Sequence, residues 1–189
     1  IGGAELPVGV GTGVLGRALD VLLADVGDQI ELIGRLAGTS PAAMAAAADW
    51  REGVAALRAR YADARAGRVF YQVSPQPLIT VTGAHFIGEA IELCGGENVF
   101  GGLPGLTAVV SAESVVQARP DVIVAADYTA GPGQPRSGTP LDTWRSWPAL
   151  PAVREGRLAL TDPDLLSVPG PRLLGGIQAL CVAVNGSQD

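Results

Sequence analysis

Arg68-Val69-Phe70-Tyr71-Gln72-Val73 opens the stretch that decides the fold. Its Val and aromatic content predicts a strand, Val69 to Val73. A loop rich in Pro, Gly, Ser and Thr follows, Ser74 to Gly83. Ala84 to Leu93 then carries a helical pattern. Asn98 to Phe100 reads as a short strand or turn. Ala112 to Ala118 reads as a helix with Ser111 at its N-cap. Asp121-Val122-Ile123-Val124-Ala125-Ala126 is an apolar run between turn signals, the mark of a buried strand. Thr143 to Val153 is helical or irregular, broken by Pro148 and Pro151. Arg157 to Thr161 predicts another strand and Pro171 to Val184 a last helix. Strands alternating with helices at this spacing predict an α/β fold, a mostly parallel three-layer sheet of Rossmann-like type. Such sheets take ligands at the carboxyl ends of their strands. The loops Ser74 to Gly83, Asp127 to Pro140 and Asp162 to Gly170 follow those ends and would line one rim. The Asp127 to Pro140 loop contains Gly131-Pro132-Gly133 and is expected to be mobile.

Upstream of Arg68 the pattern is purely helical. Ser40 to Arg65 is Ala-rich, with Ser40 as N-cap, Pro41 in the first turn and Gly67 past its end. At 1.5 Å per residue its length is roughly 37 Å. Trp50, Val54, Leu57 and Tyr61 form one narrow apolar stripe, which suits a spine onto which other elements pack. Val14 to Ala37 is a second helical pattern. Gly27 is placed to break it and Gly38 to cap it. Leu6 to Val10 reads as a short strand.

The chain has 189 residues, 48% hydrophobic and 17% charged, with a net charge of -6. That balance excludes a disordered acidic tail. No apolar run reaches the roughly 18 to 20 residues of a membrane helix. The acidic balance argues against a nucleic-acid partner, which wants a basic stripe. All 13 basic residues are Arg, so lysine Schiff-base chemistry is excluded. Residue 1 is Ile1 and no signal peptide precedes the first segment, so the chain reads as one whose beginning is missing.

Several residues carry candidate chemistry. Cys94-Gly95-Gly96-Glu97-Asn98 could be a phosphate loop, but it follows a helix and lacks the P-loop Lys, so a helix C-cap turn is the plainer reading. His85, the sole histidine, reads as an exposed helix-terminal residue; an axial metal or cobalt ligand is the sharper alternative. A hydrolase triad would need this same histidine and a G-x-S-x-G elbow that the sequence lacks. Asp162 and Asp164 could act as acid and base, or as solvated turn residues. Trp144 and Trp147 read as packing residues, with a stacking surface for a flat ligand as the alternative. Glu113 lies in the first turn of a helix and complements its dipole. Cys94 and Cys181 fit one disulfide or two buried thiols equally well.

Beyond these single residues, three longer stretches carry a resemblance. Arg68-Val69-Phe70-Tyr71-Gln72, then Ile91-Glu92-Leu93-Cys94-Gly95-Gly96-Glu97-Asn98-Val99-Phe100, then Val110-Ser111-Ala112-Glu113-Ser114-Val115-Val116 closely resemble the cobalamin (vitamin B12) periplasmic-binding family. Arg119-Pro120-Asp121-Val122-Ile123-Val124, Pro171-Arg172-Leu173-Leu174 and Ala179-Leu180-Cys181 continue the match in order. So does Asp28 to Gly38 at its start.

The resemblance implies two α/β lobes joined by one long helix, with the ligand between them and no catalysis. Residues 1–39 would be the C-terminal part of the first lobe, 40–66 the interlobe helix and 67–189 the C-terminal lobe. It implies a disulfide between Cys94 and Cys181, and docking of Glu113 onto a basic pocket of an ABC importer's membrane permease. It implies a periplasmic chain, or one at the outer face of the cytoplasmic membrane. Cobalamin or a related corrinoid would be cargo, and no cofactor or metal belongs to the protein itself.

Ligand contacts are expected from Gln72, Ser74, Gln76, Leu78, Thr80, Thr107, Asp162, Asp164 and Leu165. Aromatic residues of the family's ligand loops are replaced here near Val73, Leu78 or Ile79, at Thr107, and at Leu165 and Leu166. A ferric siderophore or haem is the alternative cargo, for which Arg136, Arg145 and Arg172 would supply cations. An enzyme on a Rossmann-like sheet is the third reading.

Overall fold

A short loop and one glycine set the turn between the first two described helices. The computed structural model describes residues 22–128 and 138–186. The expected strand Leu6 to Val10, the start of the Val14 to Ala37 helix, most of the Asp127 to Pro140 loop and Arg136 lie outside these residues. Helices α1 (Leu23–Leu36) and α2 (Ser40–Arg60) form a hairpin. Gly38 turns the chain with φ of 71°, and the Thr39 amide reaches back to the Gly34 carbonyl at 2.8 Å. A residue with a Cβ would be strained there.

Gly27 does not break α1. It is buried, and a Cβ in its place would lie 2.9 Å from Arg51 Nε. The gap admits the Arg51 guanidinium, which bonds Asp28 and Glu31 at 2.7 Å each. The N-cap of α2 is Thr39, with Ser40 already inside the helix. The helix ends at Arg60 and not at Arg65, because buried Tyr61 anchors in the core and the chain must turn into the sheet. The Ala66 amide there bonds the Gly95 carbonyl at 3.0 Å.

The sheet holds β1 (Gly67–Pro75), β2 (Leu78–Val81), β3 (Gly96–Asn98), β4 (Thr107–Val109), β5 (Val122–Ala126) and β6 (Leu158–Thr161). The order is β4-β2-β1-β5-β6, with β3 beside the first residues of β1. Pairs β1–β3, β1–β5 and β5–β6 are parallel. Pairs β1–β2 and β2–β4 are antiparallel. The sequence predicts one rim loop over Ser74 to Gly83. In the structure Ser74 and Pro75 end β1 and Leu78-Ile79-Thr80-Val81 returns as a strand, which leaves the turn at the cis Gln76–Pro77 bond and the pair Thr82-Gly83 outside the strands. The Pro-rich flanks hid a short run with β-branched residues, and Thr80 Oγ1 ties it to the Tyr71 carbonyl at 2.8 Å.

Helices α3 (Phe86–Leu93), α4 (Ala112–Ala118), α5 (Pro151–Arg154), α6 (Pro163–Leu166) and α7 (Leu173–Asn185) cover the sheet. Alternate residues of β1 and β5 feed two cores. Val69, Tyr71, Val122 and Val124 pack with α1, α2, α3 and α7. Phe70, Ile123 and Ala125 pack with Val115 of α4 and with Leu141, Trp144, Leu150 and Ala152. Cys94 and Cys181 are joined in a disulfide between the end of α3 and the middle of α7. Asn185 Nδ2 donates to both cysteine carbonyls, at 2.9 and 3.0 Å.

Candidate ligand-binding cleft

The carboxyl ends of β1, β5 and β6 meet at one rim, where a cleft of about 190 Å3 opens. Each wall is set by a local feature. Tyr71 and Val73 alternate onto the cleft side of β1. Thr107 is exposed at the start of β4. Tyr128 follows the last strand residue of β5 by two positions, and its hydroxyl lies 3.4 Å from Ser167 Oγ. Leu166 and Ser167 close α6, which Asp162 begins as N-cap by accepting the Asp164 amide at 2.8 Å. His85, Phe86 and Ile87 start α3.

The cleft is apolar with a few neutral polar atoms. Among the described residues no carboxylate or guanidinium lines it. His85 Nδ1 accepts the Ile87 amide at 3.1 Å, and its ring leans on Phe86 with centroids 4.3 Å apart. Burial lowers its pKa from 6.5 to about 4, because the charged ring would lose water. Burial likewise raises Tyr71 to about 12, opposed by its bond to Thr161. Both groups are neutral at pH 7.

Two larger grooves, about 530 and 550 Å3, run along α2. One is lined by Trp50, Val54 and Ala59 against Leu23 of α1, the other by Arg58, Arg65, Glu92 and Gly96. Gly96 begins β3, at the amino ends of the parallel strands. Size alone would favour them, but ligands of such sheets bind at the carboxyl ends.

Of the expected contact residues, Thr107 lies in the cleft and Leu165 adjoins Leu166 there. Gln72 and Thr80 do not reach it. Gln72 is 2% exposed, with Oε1 accepting Trp144 Nε1–H at 2.7 Å and Nε2 donating to the Pro140 carbonyl at 2.9 Å. Thr80 is fully buried under Tyr71. Gln72 sits on β1 with its side chain bonded into the second core, and Thr80 lies on β2, where the sequence predicts a rim loop. Ser74, Gln76 and Leu78 belong to the hairpin beside the cleft, with Gln76 exposed at its turn and Leu78 packed toward the second core. Asp162 and Asp164 serve the α6 cap and are exposed, turn residues and not an acid–base pair.

Trp144 is a core residue, edge-on to Phe70 at 5.5 Å, and not a stacking surface. Cys94-Gly95 is a helix C-cap turn, with Gly95 at φ of 81°. Glu113 is exposed at the start of α4, held below the usual carboxylate range by its own backbone amide and by Ser111.

Tyr128 and Ser167 were not expected as contacts, and His85 was offered only as an axial metal or cobalt ligand. Tyr128 had a signal: it is the sole aromatic of the loop that follows β5.

A three-layer α/β fold with an uncharged cleft at its strand ends has the frame on which such sheets take ligands. The family of periplasmic binding proteins matches residues 8–165. The vitamin B12-binding protein of Vibrio cholerae serotype O1 (strain O395) is 30% identical over 167 residues, covering 88% of this chain and 58% of its own. The crystal structure of the periplasmic vitamin B12-binding protein BtuF of Vibrio cholerae superposes with a TM-score of 0.74 at 30% identity, over 86% of this chain and 61% of that one. The periplasmic haem-binding protein RhuT of Roseiflexus sp. RS-1 shares the fold, with a TM-score of 0.71 at 21% identity over 87% and 63%. The chain belongs to the periplasmic binding protein family, a family of binding proteins and not of enzymes. It spans a little over half the length of the curated relatives it matches.

Proposed function

We propose that this chain is the C-terminal lobe and spine of the substrate-binding component of an ABC importer, and that its cargo is cobalamin or a related corrinoid. The observation that carries the reading is the cleft. It sits at the strand ends, is walled by Val73, Phe86, Ile87 and Leu166, and carries neutral polar atoms with no charge. Such a wall suits one side of a large, largely uncharged ligand. The name borne by relatives 30% identical or more supports the corrinoid. In this reading α2 is the interlobe helix, and its stiffness limits the lobes to modest closure. Residues 1–39 are then the tail of the first lobe. A disulfide between fully buried cysteines suits the periplasm.

Haem and ferric siderophores are the competing cargo. Their anionic groups call for cations, and no arginine lines the cleft among the described residues. Arg145 pairs with Asp142 at 3.4 Å, and Arg172 lies at the start of α7.

Glu113 is proposed as the docking carboxylate for the permease. It makes no ion pair among the described residues. Glu113→Ala should weaken capture by permease-bearing vesicles, more so at low salt, and leave ligand affinity alone. The cargo is tested by calorimetric titration of cyanocobalamin, haem and a ferric hydroxamate into the chain. Binding of cyanocobalamin in preference to the other two supports the proposal. Preference for haem or the hydroxamate overturns it.

A further inference from the structure

We propose that His85 is a neutral hydrogen-bond donor to the ligand's edge, reading a carbonyl oxygen such as a side-chain amide supplies, and is not a ligand to its metal. The inference rests on the cargo reading above and deepens it.

The geometry starts at the helix cap. His85 Nδ1 accepts the Ile87 amide, so that nitrogen carries no proton. A neutral imidazole holds its one hydrogen on the other nitrogen. Nε2 is therefore a donor with no lone pair to offer a metal. To bind cobalt or iron through Nε2, the ring must shift its proton to Nδ1 and give up the cap.

The Nε2 edge is the one the cap leaves unbonded. Among the described residues no buried side-chain nitrogen or oxygen lacks a partner. Nε2 makes no bond among the described residues, so it is the solvent-reached edge of a ring that lines the cleft. The other polar atoms there belong to Thr107, Tyr128 and Ser167.

No charge modifies this picture. Tyr71 and Tyr128 are the titratable side chains lining the cleft besides His85. On α3, Glu89 is turned to the Leu23 amide at 2.8 Å and to Arg58 at 3.6 Å, and Glu92 is exposed. On α6, Asp162 and Asp164 face solvent. On β1, Arg68 bonds the Ala118 carbonyl. Asp127, next to Tyr128, is buried and engaged. Burial alone lowers the pKa of His85, and none of these groups contributes. A cleft of neutral donors fits amide oxygens. A carboxylate-edged ligand would gain from a protonated ring that this site does not supply.

The test compares the unmodified chain with His85→Asn. Asn keeps an acceptor at the N-cap and loses the reach of Nε2–H. The melting temperature should stay within a few degrees. Affinity for cyanocobalamin, by calorimetry, should fall about tenfold, the worth of one hydrogen bond in a dry site. In the unmodified chain it should be flat from about pH 8 to about pH 5.5, since the ring is neutral throughout. Aquocobalamin, whose water an imidazole can displace, should keep its visible spectrum on binding.

Binding changed less than twofold by His85→Asn would overturn the inference and leave the cargo reading standing. A spectral shift present in the unmodified chain and absent in the variant would overturn it too, by making His85 a cobalt ligand. Failure of the unmodified chain to bind cyanocobalamin while it binds haem would remove both.

Discussion

Reducing the Cys94–Cys181 bond should cost this chain a large part of its stability. The bond joins residues 87 apart in sequence. Loop-closure entropy for a ring of that size corresponds to about 4 to 5 kcal/mol at 25 °C, as an upper figure. Both cysteines are fully buried, at the contact between α3 and α7. Reduction leaves both sulfurs in place, so the native packing changes little and the loss falls on the unfolded chain. For a chain of this size each kcal/mol moves the melting temperature by about 2 to 4 °C, so the drop is roughly 8 to 20 °C. The assay is urea unfolding of the oxidised and the dithiothreitol-reduced chain, followed by circular dichroism. The midpoint should fall, and the slope with urea should rise, because the freed unfolded chain exposes more surface. A Cys94→Ala, Cys181→Ala chain should lose slightly more, through the missing sulfurs. A loss below about 1 kcal/mol on reduction, with the slope unchanged, would refute the reasoning.

Acid should destabilise the chain through His85. Its folded pKa of about 4 lies below the unfolded 6.5, so the unfolded state takes up the proton first as pH falls, and stability is lost between those values. His85→Asn should flatten the urea midpoint across that window; an unchanged slope would sink the assignment. Gln72→Leu should cost about 1 to 3 kcal/mol by orphaning the buried Trp144 indole N–H, with cyanocobalamin affinity unmoved. A thermal melt and a titration check the two halves separately. Gly88→Ala should destabilise by about 1 to 3 kcal/mol, because its Cβ would lie 2.1 Å from the Thr82 carbonyl oxygen and α3 cannot retreat from that backbone.

The frame of the lobe was legible because its strands and helices announce themselves by period. Val122 to Ala126 is apolar throughout and is buried throughout. Ser111 caps α4 as its position suggests, accepting the Ser114 amide at 3.1 Å. The antiparallel arm was not legible, because β2 and β4 are only four and three residues long and their Pro- and Gly-rich flanks outweigh them locally. The cleft was half legible. The loops that build it could be named from the strand ends, but which side chains turn inward could not. Gln72 and Tyr71 are neighbours in sequence, yet one enters the second core and the other lines the cleft. That choice depends on the sheet's two faces, which appear only when the strands pair. The place of His85 was hidden by its position, since a helix-terminal histidine reads as exposed until Tyr128, Leu166 and Ser167 are seen to share a cleft with it.

The most direct test of the central claim is to map bound cyanocobalamin on the chain by amide chemical shifts. The account predicts changes at His85 to Ile87, Thr107, Tyr128 and Leu166 to Ser167, with α1 and α2 quiet. Changes confined to the groove of Leu23, Trp50, Val54 and Ala59 would contradict it.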